Sequence, residues 1–330
     1  MLIIGCDFHP GFEEVAMLDD QSGEIRCLRL GHVEEARQFY GSLAGPVRVG
    51  IEACGQSQWF ERMLAELGHE LWIGDAAQIR ASVVRQQKTD RRDAEHLLKL
   101  LLEGRFPRLW VPSAKERDAR QLLVHRHQRV RLRTQVKNQL QALALGQGLQ
   151  RKRRLWSKVG RQELEKLNLL PFAARRRAEL LDTLDRLEKQ IGELDQAVRS
   201  EAQSRPEAVC LMTHPGVGPN TALGMVLTLG PVERFGRAKQ VCSYLGLIPR
   251  EHSSGGRQRL GHISKQGNAL MRFLLVEAGQ TAARVDEGLR RHYRRWSLRM
   301  GRSKAKVAVA RKLATRLYWM LRTGKRYAQL

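Results

Sequence analysis

Four acidic residues have the types and positions expected of a metal site. Asp7 and Glu52 each close an apolar segment, 2–7 and 47–52, that the residue pattern predicts as a β-strand. Asp90 and Asp93 lie three residues apart at the start of a predicted helix, so both can face one side. Carboxylates are ligands that Mg²⁺ prefers, and such a group suits two-metal phosphodiester chemistry. We therefore take these four as candidate catalytic and metal-binding residues and expect Mg²⁺ as the cofactor.

The first hundred residues predict the elements that would bring these acids together. The pattern indicates strands at 2–7, 13–19 and 24–30, the last two joined by a turn at 19–23. A helix near 33–43, a strand ending at Glu52, a helix at 56–67 and a strand at 69–73 follow. This alternation is typical of an α/β domain. A structural alternative exists for any single acid, since the helix dipole alone favours an Asp such as Asp90 at a helix start.

The composition points to a polyanionic partner. The 330-residue chain carries 58 Lys and Arg against 34 Asp and Glu, a formal net charge of +24. Segments 119–162 and 288–330 contain no acidic residue but twelve and fourteen Lys or Arg, respectively. A membrane surface is the competing polyanion, but we find neither an apolar run of about 18 residues nor a signal peptide. We therefore expect a cytoplasmic, nucleic-acid-binding protein, in which Arg129, Arg131 and Arg133 contact phosphates.

The middle of the chain is predicted to be helical. Residues 114–145 read as one long basic helix, and residues 174–200 contain apolar residues at alternating spacings of four and three. This seam is compatible either with packing inside the chain or with dimerisation. Its members are Leu180, Leu184, Leu187, Ile191, Leu194 and Val198. None of the five cysteines forms a CxxC pair, so neither a zinc site nor a disulfide framework is indicated.

Two further segments carry candidate phosphate contacts. Residues 214–222 resemble a helix-hairpin-helix turn, in which Gly216 and Gly218 would let backbone N–H groups approach a phosphate. An ordinary Gly/Pro-rich loop between two helices would show the same residue pattern. Residues 263–272 indicate a turn that leads into a helix, where Lys265 contacts a nucleic-acid backbone or where the segment is simply a capped helix start.

The loop 250–259 is a second candidate catalytic site. It contains Ser253 and Ser254, two glycines, and Arg250, Arg257 and Arg259. A serine in a cationic loop can attack a phosphate, and the arginines would stabilise charge on the phosphoryl group. The residues alone also fit a loop that merely binds phosphate or faces solvent.

Taken together, the motifs resemble those of the insertion-sequence one-ten family of DEDD transposases, also called bridge-RNA-guided recombinases. The resemblance covers nearly the whole chain. Three blocks are similar to those that carry the family's four acids: Gly5-Cys6-Asp7-Phe8-His9, Gly50-Ile51-Glu52-Ala53-Cys54-Gly55 and Lys88-Thr89-Asp90-Arg91-Arg92-Asp93-Ala94. Four further blocks resemble its transposase domain: residues 214–222, 244–250, 254–256 and 265–268.

The resemblance implies an organisation in three parts. It implies a ribonuclease H-like (RuvC-like) DEDD domain at 1–112, a helical coiled-coil arm at 113–205 and a mainly helical transposase domain at 206–330. It also implies that the serine before Gly-Gly, Ser254, is a nucleophile that forms a phosphoserine link to DNA, although the adjacent Ser253 leaves this register open. The implied partners are donor and target DNA, a structured bridge RNA and other copies of the chain, in a dimer or a tetramer.

Two rival functions remain open at this point. The first is a RuvC-like metal-dependent nuclease, such as a junction resolvase, in which the acids activate water and no covalent intermediate forms. The second is a protein without enzymatic activity that packages RNA or DNA through its positive charge.

Overall fold

The computed structural model describes residues 1–18, 23–83 and 89–329, apart from the side chains of Lys152 and Arg153. The predicted turn at 19–23, except Gly23, and Lys88 of the third acidic block lie outside the described residues. The chain divides into two compact units, Met1–Val111 and Pro112–Leu330.

Unit 1 contains a mixed five-stranded sheet with helices on its faces. The described elements are β1 (Leu2–Phe8), β2 (Phe12–Leu18), β3 (Ile25–Gly31), α1 (Glu34–Ser42), β4 (Val47–Glu52), α2 (Gln58–Glu66), β5 (Glu70–Gly74), α3 (Ala76–Ser82) and α4 (Asp90–Leu102). The strand order is β3-β2-β1-β4-β5. Strands β1 to β3 pair antiparallel, whereas β4 runs parallel to β1 and to β5. The predicted strands are confirmed in number and order, and α3, which Asp75 caps, was not predicted.

The two faces of β1 pack against different helices. Ile4 and Cys6 are fully buried in a cluster that includes Tyr40 of α1 and Phe60 of α2. Because successive strand residues point to opposite faces, Gly5 lies on the other face, under α4. A Cβ atom at Gly5 would lie 2.3 Å from the Ala94 carbonyl oxygen and 2.3 Å from the Leu98 nitrogen. The absence of a side chain at this position therefore lets α4 lie directly on the sheet.

A buried carboxyl group lies on the face of the sheet opposite α4. Glu13 is fully buried, and its Oε2 accepts a hydrogen bond from the Cys6 thiol at 3.1 Å. Burial raises the pKa of the Glu13 carboxyl from about 4.5 to about 7. The folded protein therefore holds this proton more tightly than the unfolded chain does, and unit 1 should lose stability as the pH rises from about 4.5 to about 7.

Replacement of Glu13 by glutamine should remove this pH dependence. At about 1.4 kcal/mol for each pKa unit, ionising the buried carboxyl costs about 3 kcal/mol once the pH exceeds 7. Urea unfolding of the wild type and of Glu13→Gln between pH 5 and pH 8 should show the wild type losing roughly that much relative to the variant. The exposed Glu24→Gln is the control and should follow the wild type. Parallel pH profiles of the wild type and Glu13→Gln would contradict the prediction.

Unit 2 begins with two long helices that pack against each other. Helix α5 (Ala114–Gly146) and helix α7 (Pro171–Gln203) each have 33 residues and are linked through a 3₁₀ turn and the short α6 (Lys158–Glu165). The predicted seam of α7 faces this chain's own helices. Leu184 and Leu187 lie in a buried cluster with Leu140 of α5, and Val198 lies in a second cluster with Leu123. Charged pairs join the two helices, including Arg126 to Asp195 at 2.8 Å.

The rest of unit 2 is a helical bundle with one small hairpin of strands. The described elements are α8 (Pro206–Met212), α9 (Pro219–Leu229), α10 (Ala238–Tyr244), β6 (Pro249–Glu251), β7 (Leu260–Ile263), α11 (Ala269–Val285), α12 (Glu287–Met300) and α13 (Arg302–Thr323). Fully buried leucines from different helices form its core, including Leu223, Leu275, Leu313 and Leu317. Among the described residues, we find no helix with both the length and the apolar character needed to cross a membrane.

Candidate catalytic sites

Asp7 and Glu52 lie side by side at the carboxyl ends of two adjacent strands in unit 1. Strands β1 and β4 are parallel, and Cys6 pairs with Ile51, so the next residue of each strand is Asp7 or Glu52. Cys6 and Ile51 point into the buried cluster, and the alternation of side chains directs the two acids to the opposite face. The prediction that Glu52 ends a strand is confirmed, and Asp7 is the last residue but one of β1. The strand register adds that the two strands are neighbours.

Asp90 and Asp93 lie in the first turn of α4, on the same face of the sheet as Asp7. Thr89 caps this helix by accepting a hydrogen bond from the Arg92 N–H. Because Ala94 and Leu98 pack onto Gly5, the start of α4 lies close to the end of β1. The charges of Asp93 and Asp90 both act on the Asp7 carboxyl. The structure therefore brings together the predicted acids of β1 and α4.

His9 is a member of this site that the sequence analysis did not single out. Its Nε2 lies 3.0 Å from Asp7 Oδ2 and 3.7 Å from Asp90 Oδ1. Among the described residues, Asp7, His9 and Asp90 are the acidic or histidine side chains whose ligand atoms all lie within 4.8 Å of one another. Glu52 is outside this tight group, with its Oε1 3.8 Å from Arg80 Nη2. The available signal was the spacing Asp-x-His at the end of a predicted strand, because residues two apart in extended backbone point to the same side.

The electrostatics of this group fit a divalent cation. Burial raises the pKa of the Asp7 carboxyl above its ordinary value, and the negative charges of Asp93 and Asp90 act in the same direction. The hydrogen bond from His9 acts oppositely and lowers that pKa. Carboxylates that converge on one point repel one another, and a bound cation relieves that repulsion. Asp7 and Asp90, with Glu52 and Asp93 nearby, are the residues that would hold such an ion.

Gly5 offers a test of how the site is assembled. Gly5→Ala forces a Cβ into backbone atoms of α4, which cannot move individually, so the start of α4 must shift away from β1. We expect unit 1 to lose about 1–3 kcal/mol of stability and the protein to bind divalent cations more weakly. Gly11→Ala is the control, because a Cβ there meets nothing within 4 Å. Isothermal titration with Mn²⁺ and urea unfolding would measure both effects, and equal results for the two variants would contradict this account.

Ser254 lies at the tip of the hairpin formed by β6 and β7. Gly255 and Gly256 both have positive φ angles, 56° and 73°, and the Arg257 N–H donates to the Ser254 carbonyl at 3.1 Å. Two central residues with positive φ define a type I′ turn, which explains the Gly-Gly pair. The whole segment 251–262 is exposed. The hairpin thus presents Ser254 to solvent at its end.

The two neighbouring serines differ in their hydrogen bonds. Ser253 Oγ donates to Glu251 Oε1 at 2.7 Å and accepts from the Arg259 N–H at 3.1 Å. Within the described residues, the Ser254 hydroxyl has no hydrogen-bond partner, and the side chains of Arg257 and Arg259 form no ion pair. Ser253 therefore stabilises the hairpin, whereas the Ser254 hydroxyl is available to a ligand.

Two sequence blocks pack against each other at the base of the hairpin. A Cβ at Gly246 would lie 2.1 Å from the Gln266 carbonyl oxygen, and a Cβ at Gly267 would lie 2.1 Å from that of Tyr244. The Arg272 guanidinium donates to the carbonyls of Leu245, Gln266 and Gly267. The blocks 244–248 and 264–268 therefore interlock backbone to backbone at the base of β6 and β7, which fixes where the hairpin starts.

The remaining predicted contacts lie at several places in unit 2. Gly216 has a φ of 82°, and a Cβ there would lie 2.4 Å from the Ala282 nitrogen, so packing against α11 already requires glycine. Gly218 is exposed at the start of α9. Lys265 is exposed with a φ of 56°. Asn268 caps α11 by accepting from the Met271 N–H, which confirms the alternative of a capped helix start.

The three predicted arginines of α5 do not share one face. Residues two apart on a helix are separated by about 200°, so Arg131 points away from Arg129 and Arg133. Arg131 is exposed, and Arg129 and Arg133 are half-buried. Arg250 at the start of the Ser254 hairpin is exposed, and its Nη2 lies 3.4 Å from the Ser264 carbonyl oxygen.

An α/β unit with acidic residues at two strand ends and one helix start, joined to a helical unit, is the arrangement of a DEDD transposase. Comparison with known families supports this class. Residues 4–147 match the DEDD transposase model of the IS110 type, and residues 208–294 match the transposase model of the IS116/IS110/IS902 family. The DEDD domain implies a ribonuclease H-like fold, in agreement with the strand order.

Individual relatives point to the same family over most of the chain. A protein of Pseudomonas aeruginosa described as "Probable family 20 transposase" is 30% identical, over 80% of this chain and 79% of its own. The transposase for insertion sequence element IS1111A of Coxiella burnetii is 26% identical over 97% and 89%. The transposase for insertion sequence element IS1328 of Yersinia enterocolitica is 27% identical over 84% of each. The chain belongs to the IS110/IS116/IS902 family of insertion-sequence transposases.

Proposed function

We propose that this transposase cuts and rejoins DNA through a phosphoserine intermediate formed by Ser254. The observation that carries the proposal is the exposed Ser254 hydroxyl at the hairpin tip, without a partner among the described residues and close in sequence to Arg250, Arg257 and Arg259. The arginines would neutralise a phosphate, and the positive-φ turn makes the tip narrow enough to approach a DNA backbone. Ser253 fits the role less well, since its hydroxyl is engaged within the hairpin.

The proposed chemistry consists of two phosphoryl transfers. In the first, the Ser254 oxygen forms a bond to the DNA phosphorus, and the bond between phosphorus and a deoxyribose oxygen breaks. The serine proton ends on that leaving oxygen. In the second, a hydroxyl of the other DNA attacks the phosphoserine and releases Ser254 with its proton restored. A serine hydroxyl is a weak nucleophile at neutral pH, so it needs assistance.

We propose that the acidic group of unit 1 supplies that assistance. Asp7, Glu52, Asp90 and Asp93 would hold Mg²⁺ or a related divalent cation. When bound, the ion polarises the scissile phosphate and stabilises the leaving oxygen. The acids belong to unit 1 and Ser254 to unit 2, so a complete site requires that a unit 2, of the same chain or of another copy, is brought to unit 1. The family resemblance favours another copy, in a dimer or a tetramer.

The proposed partners are donor and target DNA and a structured bridge RNA. The charge of +24 supports polyanionic partners without distinguishing them. We further propose that Gly218 and Lys265 contact phosphates, as well as Gly216 through its backbone. The packed pair α5 and α7 would act as a coiled-coil arm between the DEDD domain and the transposase domain.

A covalent adduct between protein and DNA tests the proposal directly. The purified protein, incubated with end-labelled DNA carrying the insertion-sequence ends, its associated RNA and Mg²⁺, should yield a label that migrates with the protein on a denaturing gel. Digestion and mass spectrometry should place the phosphate on Ser254. Cleavage without an adduct would favour the nuclease, in which the acids activate water. Binding without cleavage or adduct would favour a packaging protein.

The basic surface of α5 should make binding depend on salt. Each phosphate neutralised on B-DNA contributes about 0.9 to the slope of log affinity against log salt. We expect the triple variant Arg129→Gln/Arg131→Gln/Arg133→Gln to flatten this slope by at least about 1, as measured by fluorescence anisotropy. Testing Arg131→Gln against the pair Arg129→Gln/Arg133→Gln would identify the face that binds. Arg175→Gln is the control, because Arg175 already pairs with Glu179 at 2.8 Å. An unchanged slope in the triple variant would place these arginines on a solvated face.

A further inference from the structure

His9 occupies the space where the Asp7 and Asp90 carboxylates converge. Its Nε2 lies 3.0 Å from one carboxylate oxygen and 3.7 Å from another. Two ligand atoms at right angles around a metal ion, each about 2.1 Å away, are about 3 Å apart, and opposite ligands are about 4.2 Å apart. The separations around His9 therefore fall within the range of a single coordination sphere.

The imidazole ring of His9 is held in this orientation by its surroundings. The ring stacks on Phe12 with centroids 4.7 Å apart and 22° between the planes. The backbone N–H of His9 also donates to the Phe12 carbonyl at 3.0 Å, which closes the turn between β1 and β2. The Arg29 guanidinium lies over the same Phe12 ring, with its Cζ 3.7 Å from the ring centroid. His9 is thus oriented by packing that does not depend on the carboxylates.

We propose that His9 is a direct ligand of the divalent cation and that it makes the site prefer Mn²⁺ to Mg²⁺. The proposal rests on the metal centre of the proposed function and deepens it. Mg²⁺ favours oxygen ligands and gives up its bound water reluctantly. Mn²⁺ shares these oxygen ligands but, as a transition metal, tolerates an imidazole nitrogen in its coordination sphere better than Mg²⁺ does. A site with two carboxylates and one imidazole therefore discriminates between Mn²⁺ and Mg²⁺ more strongly than a site of four carboxylates does. The competing role for His9 is to position Asp7 by a hydrogen bond, with no bond to metal.

Two variants of His9 separate these roles. His9→Phe keeps the ring on Phe12 and removes both nitrogens. His9→Gln retains a side-chain donor for Asp7 but no imidazole. We would titrate the full-length protein with Mn²⁺, following free Mn²⁺ by electron paramagnetic resonance, and then displace bound Mn²⁺ with Mg²⁺. Pulsed electron paramagnetic resonance spectra of Mn²⁺ bound to the wild type should show a coupling to an imidazole ¹⁴N nucleus, and both variants should lose this coupling. Both should also bind Mn²⁺ about tenfold or more weakly, with Mg²⁺ affinity changed by less than about twofold.

Two control variants distinguish the role of His9 as a ligand from the existence of the metal centre. His125→Phe, at an exposed position of α5, should behave as the wild type in every measurement. Asp7→Asn should abolish Mn²⁺ binding, and if it does not, both the metal centre and the role of His9 are refuted. If Asp7→Asn loses Mn²⁺ while His9→Phe keeps the ¹⁴N coupling or the Mn²⁺ preference, only the role of His9 is refuted. Wild-type Mn²⁺ affinity in His9→Gln, together with no ¹⁴N coupling in the wild type, would show that His9 positions Asp7 and is not a ligand.

Discussion

Replacing Ser254 with alanine is expected to abolish the covalent protein–DNA adduct and all recombination while leaving nucleic-acid binding intact. The variant removes the only atom that forms the proposed bond to phosphorus, so no residual adduct at that position is possible. Ser254→Ala should fold as the wild type does, because Ser254 is exposed and contributes a backbone carbonyl to the turn but no side-chain hydrogen bond among the described residues. The measurement is the labelled adduct on a denaturing gel, with binding followed in parallel by anisotropy.

Ser253→Ala is the matched control one position away. It breaks the hydrogen bond to Glu251 on the same side of the hairpin and the bond from the Arg259 N–H, which joins the two sides. Loss of such bonds costs about 1 kcal/mol each, so we expect reduced activity with the adduct still present. If Ser253→Ala loses the adduct and Ser254→Ala retains it, the nucleophile is Ser253. If both variants still recombine, the serine mechanism is refuted and water or another group is the nucleophile.

Most of the fold of unit 1 follows from local patterns in the sequence. The apolar segments that end at Asp7 and Glu52 are short and buried, and their period and length distinguish strands from helices. The strand boundaries agree within about one residue with the prediction. Helix α3 was missed because it has only seven residues, from Ala76 to Ser82, too few to show a period of 3.6. Its capping residue Asp75 was the signal that would have revealed it.

The details of the candidate sites depend on contacts that a sequence pattern does not contain. That Gly5 lies beneath Ala94 and Leu98 follows from packing across about ninety residues, and it is what places α4 at the end of β1. The interlocking of Gly246 with Gln266 is of the same kind. The role of Gly216 in packing against Ala282 was likewise hidden, because a glycine that approaches a phosphate and one that approaches a helix look identical in sequence.

Removing a carboxylate of the acidic group is expected to abolish strand cleavage without weakening nucleic-acid binding. Asp7→Asn and Glu52→Gln keep side-chain size but remove the negative charge that would hold the cation. A metal ion contributes several kcal/mol to stabilising a phosphoryl transition state, which corresponds to roughly 10³-fold or more in rate. Binding rests mainly on Lys and Arg, so the affinity for DNA should stay within a few-fold. Cleavage rates with Mg²⁺, Mn²⁺ or a chelator would measure the effect, and Glu66→Gln, an exposed residue paired with Arg37, is the control.

Mixing two inactive variants would then determine whether the site is shared between copies of the chain. Ser254→Ala protein retains the acids, and Glu52→Gln protein retains the serine. If the acids of one copy act on DNA held by the serine of another, mixed oligomers contain some complete sites, and the mixture should recover part of the adduct that neither variant forms alone. All of the recovered adduct should then be on the Glu52→Gln chain, which a tag of different mass on each variant would reveal. If the two variants form mixed oligomers and the mixture stays inactive, Ser254 and the acids of each site must come from the same chain. Equal cleavage with and without divalent metal would refute the metal centre itself.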